Sequence, residues 1–460
     1  MRSALCLVLL VLPSLGCSWS RFDDVTENAP IVLLNRPKDL ANGFGTSLAA
    51  ARWTNEDTGT EEVTLLVGGA ALASGGAEFD LGSGDSPSLE ASDTGHCLGA
   101  ETACYFSSTP VPLAKAKGPR NDIDLCFVNG AGIASGDRGL VVRCFNDVEY
   151  ALPVPDAVDE FLQFSINAAQ PTPFRFAVDP GPSPGLLATA LEEDAVWYYP
   201  SLSQRFVEIA NPAESRGRWE TEVERKLAVA RIGESTRLLA VGEPDAGAVR
   251  LFTTDDSTAA PQYVGCLGGT AGFGRALATG RVGTDDADEL VIADDFHVFV
   301  FDGPTLAGLP PTTSTDCSLG ALPEGALVTS FGCGATKNIS GCEFSEFGAA
   351  LAVGDLDGDG DGEVVVGAPN MTVRHTPRAG ALVIYDVEPR STSNPRELHD
   401  FLDIAFLSSA EQDDQLGRSI ALPDLGTHQL LVAGAPGGGK AALFYCPSFL
   451  PPELAGGRCK

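Results

Sequence analysis

The chain has 460 residues, 44% of them hydrophobic, enough for a substantial buried core, so disorder is not the default state. Its 62 Asp and Glu against 30 Lys and Arg give a formal net charge of -32, which repels phosphate backbones and argues against a nucleic-acid partner. Gly (52) and Pro (31) are abundant while Met (2) is scarce, a profile of many short strands and tight turns rather than long helices.

The first residues read MRSALCLVLLVLPSLGC: one basic residue, an apolar run from Ala4 to Leu12, then small residues ending at Cys17. That run is too short to span a bilayer and has the length of a signal-peptide core. Residues 1–16 are therefore expected to be a signal peptide. Ser14-Leu15-Gly16-Cys17 resembles a bacterial lipobox with its leucine displaced by one position. The resemblance implies a lipidated Cys17, a linker over 17–30, and an exported outer-membrane or cell-surface lipoprotein. The membrane would be met through that anchor only, since no other apolar stretch approaches the roughly 20 residues a spanning helix needs.

Beyond the linker a similar unit recurs seven times, starting near 44, 113, 174, 226, 273, 347 and 416, a mean spacing of about 62 residues. The clearest copy, Glu346–Asp386, runs EFGAALAVGDLDGDGDGEVVVGAPN and, after a spacer, AGALVIYD. Other copies are Gly43–Ala73, Arg225–Phe252, Gly272–Gly303 and Gln415–Cys446, with degenerate ones at Asp122–Phe145 and Phe174–Tyr199. Each holds apolar runs of a few residues broken by Gly, Pro or Asp, the pattern of strands and turns. One small sheet cannot bury both its faces alone; repeating it radially lets each sheet cover the next. The expectation is an all-β, seven-bladed β-propeller of four-stranded antiparallel blades over 31–446, with a tail over 447–460.

Phe-Gly at 44–45, 273–274 and 347–348, with Gly-Ala-Pro at 367–369 and 434–436, resembles the FG-GAP repeat. Such repeats build the propeller of integrin α subunits and of many bacterial surface proteins. The sequence departs from the pattern at Leu416-Gly417 and at Gly242-Glu243-Pro244.

The sixth unit carries Asp355-Leu356-Asp357-Gly358-Asp359-Gly360-Asp361-Gly362-Glu363. Alternating carboxylates around glycines suit Ca²⁺, which takes roughly 6–8 hard oxygen ligands, better than Mg²⁺, which demands a tight octahedron. Asp355, Asp357, Asp359 and Glu363 are the expected side-chain ligands, with Asp361 giving its main-chain carbonyl. An EF-hand would need Glu at position twelve, where Val366 stands inside an apolar strand. The resemblance places a strand–loop–strand calcium site here, although that family usually has Asp where Glu363 stands. The fifth unit keeps Asp285, Asp288 and Glu289 but puts Arg281 where Asp355 stands, which argues against a second metal.

After the leader and Cys17, ten cysteines remain: Cys97, Cys104, Cys126, Cys144, Cys266, Cys317, Cys333, Cys342, Cys446 and Cys459. No CxxC pair occurs, so structural disulfides in an oxidising compartment are expected; as sequence neighbours they would close five short loops, though spacing does not fix connectivity. The five histidines form no HExxH, and no GxSxG elbow or phosphate loop is present. A non-catalytic surface binding or adhesion module, with a protein or glycan partner, is the first expectation. A polysaccharide hydrolase or lyase with its site in the axial cleft is the alternative.

Overall fold

The computed structural model describes residues 31–36, 43–55, 60–68, 77–81, 91–92, 126–134, 137–144, 149–155, 174–179, 185–190, 195–200, 206–213, 225–255, 260–283, 286–317, 322–333, 345–356, 358, 360–373, 375–389, 399–409, 411–426 and 429–444. Strand β1 (Ile31–Asn35) opens the fold. Then β2 (Ser47–Asn55), β3 (Thr60–Gly68), β4 (Ala77–Asp80) and β5 (Ala91–Ser92) form a first sheet. The second holds β6 (Cys126–Ala134), β7 (Asp137–Cys144) and β8 (Glu149–Leu152). The third holds β9 (Phe174–Asp179), β10 (Gly185–Ala190), β11 (Val196–Tyr199) and β12 (Val207–Glu208). The fourth holds β13 (Lys226–Arg231), β14 (Thr236–Glu243), β15 (Ala248–Asp255) and β16 (Gln262–Gly268). In the fifth are β17 (Ala276–Gly280), β18 (Glu289–Ala293), β19 (His297–Phe301) and β20 (Leu327–Gly332). In the sixth are β21 (Ala350–Gly354), β22 (Glu363–Ala368), β23 (Ala381–Pro389) and β24 (His399–Ser408). The seventh holds β25 (Ile420–Ala421), β26 (Leu431–Ala435) and β27 (Lys440–Phe444).

The protein is thus all-β, built of antiparallel meanders that match the units read from the sequence. Two details differ. Among the described residues the second sheet has three strands, the first of them beginning at Cys126, while the expected start of the unit near 113 lies outside the described residues. The seventh sheet borrows its fourth strand from the N-terminal end: β1 pairs with β27 in the register Ile31↔Phe444 to Asn35↔Lys440. Among the described residues no helix is long and apolar enough to cross a membrane.

The core is a series of apolar layers, each lying between two consecutive sheets. Ala177, Leu187 and Tyr198 of the third sheet meet Val229, Leu239 and Val241 of the fourth. Leu238, Ala240 and Leu251 meet Phe273, Leu290 and Ile292 of the fifth. Val291, Val298 and Val300 meet Phe347, Val364 and Val366 of the sixth. Val365, Leu382 and Ile384 meet Leu431, Ala433 and Phe444 of the seventh. Leu34, Val432 and Leu443 then meet Leu48, Leu65 and Phe79 of the first. The Val364-Val365-Val366 run follows directly: alternate side chains enter different layers, so this middle stretch of β22, covered on both faces, is apolar throughout. Each such buried valine contributes about 1.5–3 kcal/mol.

Small residues set how closely the sheets meet. The aromatic or aliphatic member of each doublet (Phe44, Phe273, Phe347, Leu416) is buried. The following glycine donates its N–H to the end of the second strand of its own sheet: Gly45 to Gly68, Gly274 to Ala293, Gly348 to Gly367 and Gly417 to Gly434, each at 3.0 Å. All four glycines have φ between +81° and +93°. Their open side faces the preceding sheet. A Cβ on Gly242 would come 2.6 Å from the Gly274 carbonyl oxygen, and one on Gly367 or Gly434 would overlap the carbonyl of Gly417 or Gly45. The doublet of one sheet therefore abuts the Gly-Ala-Pro glycine of the sheet before it, and Gly45 against Gly434 carries the contact from the seventh sheet to the first. Ser419 Oγ reinforces that junction by donating to the Gly45 carbonyl at 2.7 Å. The residue before each doublet also has positive φ: Gly43, Gly272, Glu346 and Gln415.

Polar groups at this end serve the same junctions. Lys440 Nζ lies 2.8 Å from Asp414 Oδ2 and 3.2 Å from Glu411 Oε2, tying the segment before Leu416 to β27. Burial alone would lower the Lys440 pKa, but the two carboxylates together raise it. Buried Glu243 and Arg250 pair at 2.6 Å within the fourth sheet.

The Gly417→Ala variant adds a methyl at positive φ against Ala381 and Gly367. Its unfolding free energy in urea should fall by about 2–4 kcal/mol. Gly325→Ala, with φ +88° but no neighbour within 4 Å, should lose only the backbone part. Equal losses would mean that the inter-sheet contact contributes nothing.

Candidate metal centre

The acidic segment joins β21 to β22, at the opposite end of these strands from the glycine contacts. The chain turns there on Gly358 (φ +79°) and Gly360 (φ +105°). Asp355 Oδ1 accepts the Gly358 N–H, which fixes the first bend. Glu363 is 2% exposed, and its Oε2 accepts the Leu356 N–H at 2.6 Å. Leu356 is buried in the layer against the seventh sheet. The loop is thus anchored by an apolar plug and a carboxylate staple.

That staple was not read from the sequence, although its signal was present. Glu289 occupies the same place in the fifth sheet and accepts the Val282 N–H at 2.7 Å. A buried carboxylate at the start of the second strand, closing on an N–H seven residues earlier, belongs to the loop architecture itself. With Oε2 so engaged, Glu363 could offer a cation one oxygen but not a bidentate grip.

The donor chemistry fits calcium. The loop holds carboxylates and carbonyls, without nitrogen or sulfur side-chain donors, and its glycines permit the tight curvature an oxygen cradle needs. Asp355 and Asp361 are half-buried. Asp357 and Asp359 lie outside the described residues. Among the described residues no three His, Cys, Asp or Glu side chains are gathered as a metal site.

The other predicted positions divide similarly. Cys266 and Cys317 form a disulfide, as sequence neighbours. It pins the segment after β19 back onto β16. Cys333 is buried and also disulfide-bonded. Cys126 and Cys144 are register partners of β6 and β7. Cys17, Cys97, Cys104, Cys342, Cys446 and Cys459 lie outside the described residues.

The Asp295-Phe296-His297 segment, where imidazole stands near carboxylate, is a turn. Buried Asp294 Oδ1 accepts the N–H groups of Phe296 and His297 at 2.7 and 2.6 Å, and its Oδ2 accepts the Thr270 hydroxyl at 2.7 Å. Asp295 pairs with Arg275 at 2.8 Å. In the third sheet, Trp197 Nε1–H donates to Tyr199 Oη at 2.9 Å, and Tyr199 donates to the Pro153 carbonyl at 2.6 Å. Burial raises the Tyr199 pKa well above its ordinary value, only partly countered by the Trp197 hydrogen bond. That phenol is a fixed donor in a core, unsuited to giving up its proton.

Residues 347–385, from the doublet through the acidic loop and Gly-Ala-Pro into β23, match the family model of the FG-GAP repeat. Comparison with curated proteins returns no match. Among solved structures, the chain is similar to selenomethionine-substituted virginiamycin B lyase from Staphylococcus aureus, with 10% identity over 90% of this chain and 98% of that one, TM-score 0.46. It is also similar to Saccharomyces cerevisiae Sqt1, with 10% identity over 90% of this chain and 99% of that one, TM-score 0.42.

Proposed function

We propose that the chain is a seven-bladed propeller, exported and anchored through lipid on Cys17, that binds one Ca²⁺ at 355–363. It acts as a non-catalytic surface module for a protein or glycan partner. The ring reading rests on the succession of inter-sheet layers from the third sheet through the seventh to the first, and on β1 completing the last sheet; the ring requires the second sheet to lie between the first and third. The acidic loop inside the FG-GAP match is the observation that carries the calcium reading. Asp355, Asp357 and Asp359 would supply side-chain oxygens, Asp361 its carbonyl and Glu363 one oxygen. When bound, the ion would offset repulsion among these carboxylates and hold the loop in one shape.

The non-catalytic reading rests on how five of the buried carboxylates are used. Glu289, Glu363 and Asp294 accept main-chain N–H groups, while Glu243 and Asp414 pair with Arg250 and Lys440. Groups fixed in this way stabilise the frame and are poorly placed to exchange protons with a substrate. Binding residues then belong on loops held by that frame.

Thermal unfolding of the soluble chain 18–460 should show a midpoint about 2–5 °C higher in millimolar Ca²⁺ than in EDTA. Asp355→Asn keeps the acceptor for Gly358 but removes a charge, and should abolish the difference. A wild-type midpoint indifferent to calcium would remove the metal. On an immobilised glycan and envelope-protein panel, the chain should retain a partner unchanged; release of cleaved glycan would overturn the non-catalytic reading. Incorporation of a palmitate analogue, lost in Cys17→Ala, checks the anchor.

A further inference from the structure

Arg281 is the first residue after β17, as Asp355 is the first after β21. The loops that follow have the same length and the same staple, Val282 to Glu289 in one and Leu356 to Glu363 in the other. The fifth sheet therefore carries a copy of the acidic loop with a guanidinium at its first position. That guanidinium reaches beyond its own loop. Arg281 Nη2 donates to the Gly360 carbonyl of the sixth sheet at 3.4 Å, while Nη1 lies 3.7 Å from Asp286 Oδ1. The backbones meet as well, since a Cβ on Gly362 would overlap the Arg281 carbonyl oxygen. Gly280 behind it is closed over by Val353 of the sixth sheet, so this approach is fixed by packing.

We propose that Arg281 sets the cation affinity of the 355–363 loop, placing a fixed positive charge from the neighbouring sheet on its rim and weakening divalent binding. The inference rests on the calcium reading above. Two effects oppose each other. The hydrogen bond to Gly360 orders the loop and would favour binding, but 3.4 Å is near the limit for such a bond. The charge acts on a doubly charged ion a short distance away, and with the side chain 45% exposed it is screened without being abolished. Repulsion is the larger effect.

Calorimetric titration of CaCl₂ into the chain 18–460 at low ionic strength tests this with wild type, Arg281→Gln, Arg281→Lys and Asp355→Asn. Arg281→Gln should bind about threefold to tenfold more tightly than wild type, with the gap narrowing in 0.5 M NaCl. Arg281→Lys, which keeps the charge, should stay within about twofold of wild type. Midpoints in EDTA should match between wild type and Arg281→Gln, so that folding is not what changed. Equal or weaker binding by Arg281→Gln, with wild type binding and Asp355→Asn not, would overturn the role of Arg281 and leave the calcium site standing. Binding by neither wild type nor Arg281→Gln would overturn both.

Discussion

The close approach of two backbones at one end of neighbouring sheets is the constraint on which the rest of the molecule depends. Gly367 meets Gly417, Gly242 meets Gly274, and Gly434 meets Gly45, with no room for a methyl between them. The junction from fifth to sixth sheet shows how narrow the tolerance is. Ala293 stands there in place of the glycine, and its Cβ fills the space that a side chain on Gly348 would need, 2.6 Å away. At that junction the one methyl present is accommodated and a second is not. Because the apolar layers continue outward from these contacts, a wedge at the glycine end would separate Val365 from Leu431 and expose the layer between. The doublet and the Gly-Ala-Pro segment are thus two halves of one contact, contributed by successive repeats.

This frame explains why the acidic loop can exist. Five carboxylates within nine residues repel one another, and a free segment of that composition would not hold a fixed shape. Here the loop is fastened at both ends, by Leu356 in the apolar layer and by Glu363 on the Leu356 N–H. Between them Gly358 and Gly360 turn the chain, and Gly362 lies against Arg281 of the preceding sheet. The proposed cation would meet a loop whose two ends are already fixed, which lowers the ordering cost of binding.

Much of this was open to reading in the residues, and the exceptions have identifiable causes. Strands buried on both faces announce themselves as unbroken apolar runs such as Val364–Val366, and turn glycines mark their ends, so sheet type and repeat followed from local chemistry. The acidic loop was equally visible because its carboxylates and glycines follow one another directly in sequence. Closure by β1 was hidden: Ile31-Val32-Leu33-Leu34-Asn35 is an ordinary apolar run, and its partner lies some four hundred residues away. Nothing local encodes a pairing of that range. The staple role of Glu363 was not visible in the spacing; it shows in the structure, where Glu289 makes the same bond in the loop that begins with Arg281 in place of Asp355. The positive φ at Glu346 and Gln415 was likewise hidden, because neither residue type advertises that conformation as glycine does at 43 and 272. Cys266 with Cys317 followed the nearest-neighbour pairing, whereas the reach of Arg281 into another repeat depends on side-chain placement that spacing does not give.

The account turns on closure of the chain through its first strand, and amide hydrogen exchange tests that most directly. Residues 31–35 should exchange as slowly as their register partners 440–444, and both segments should lose protection together in Gly45→Ala, since one junction holds them. Rapid exchange across 31–35 while 431–444 stays protected would show that the first strand does not complete the last sheet, and would contradict the closed arrangement.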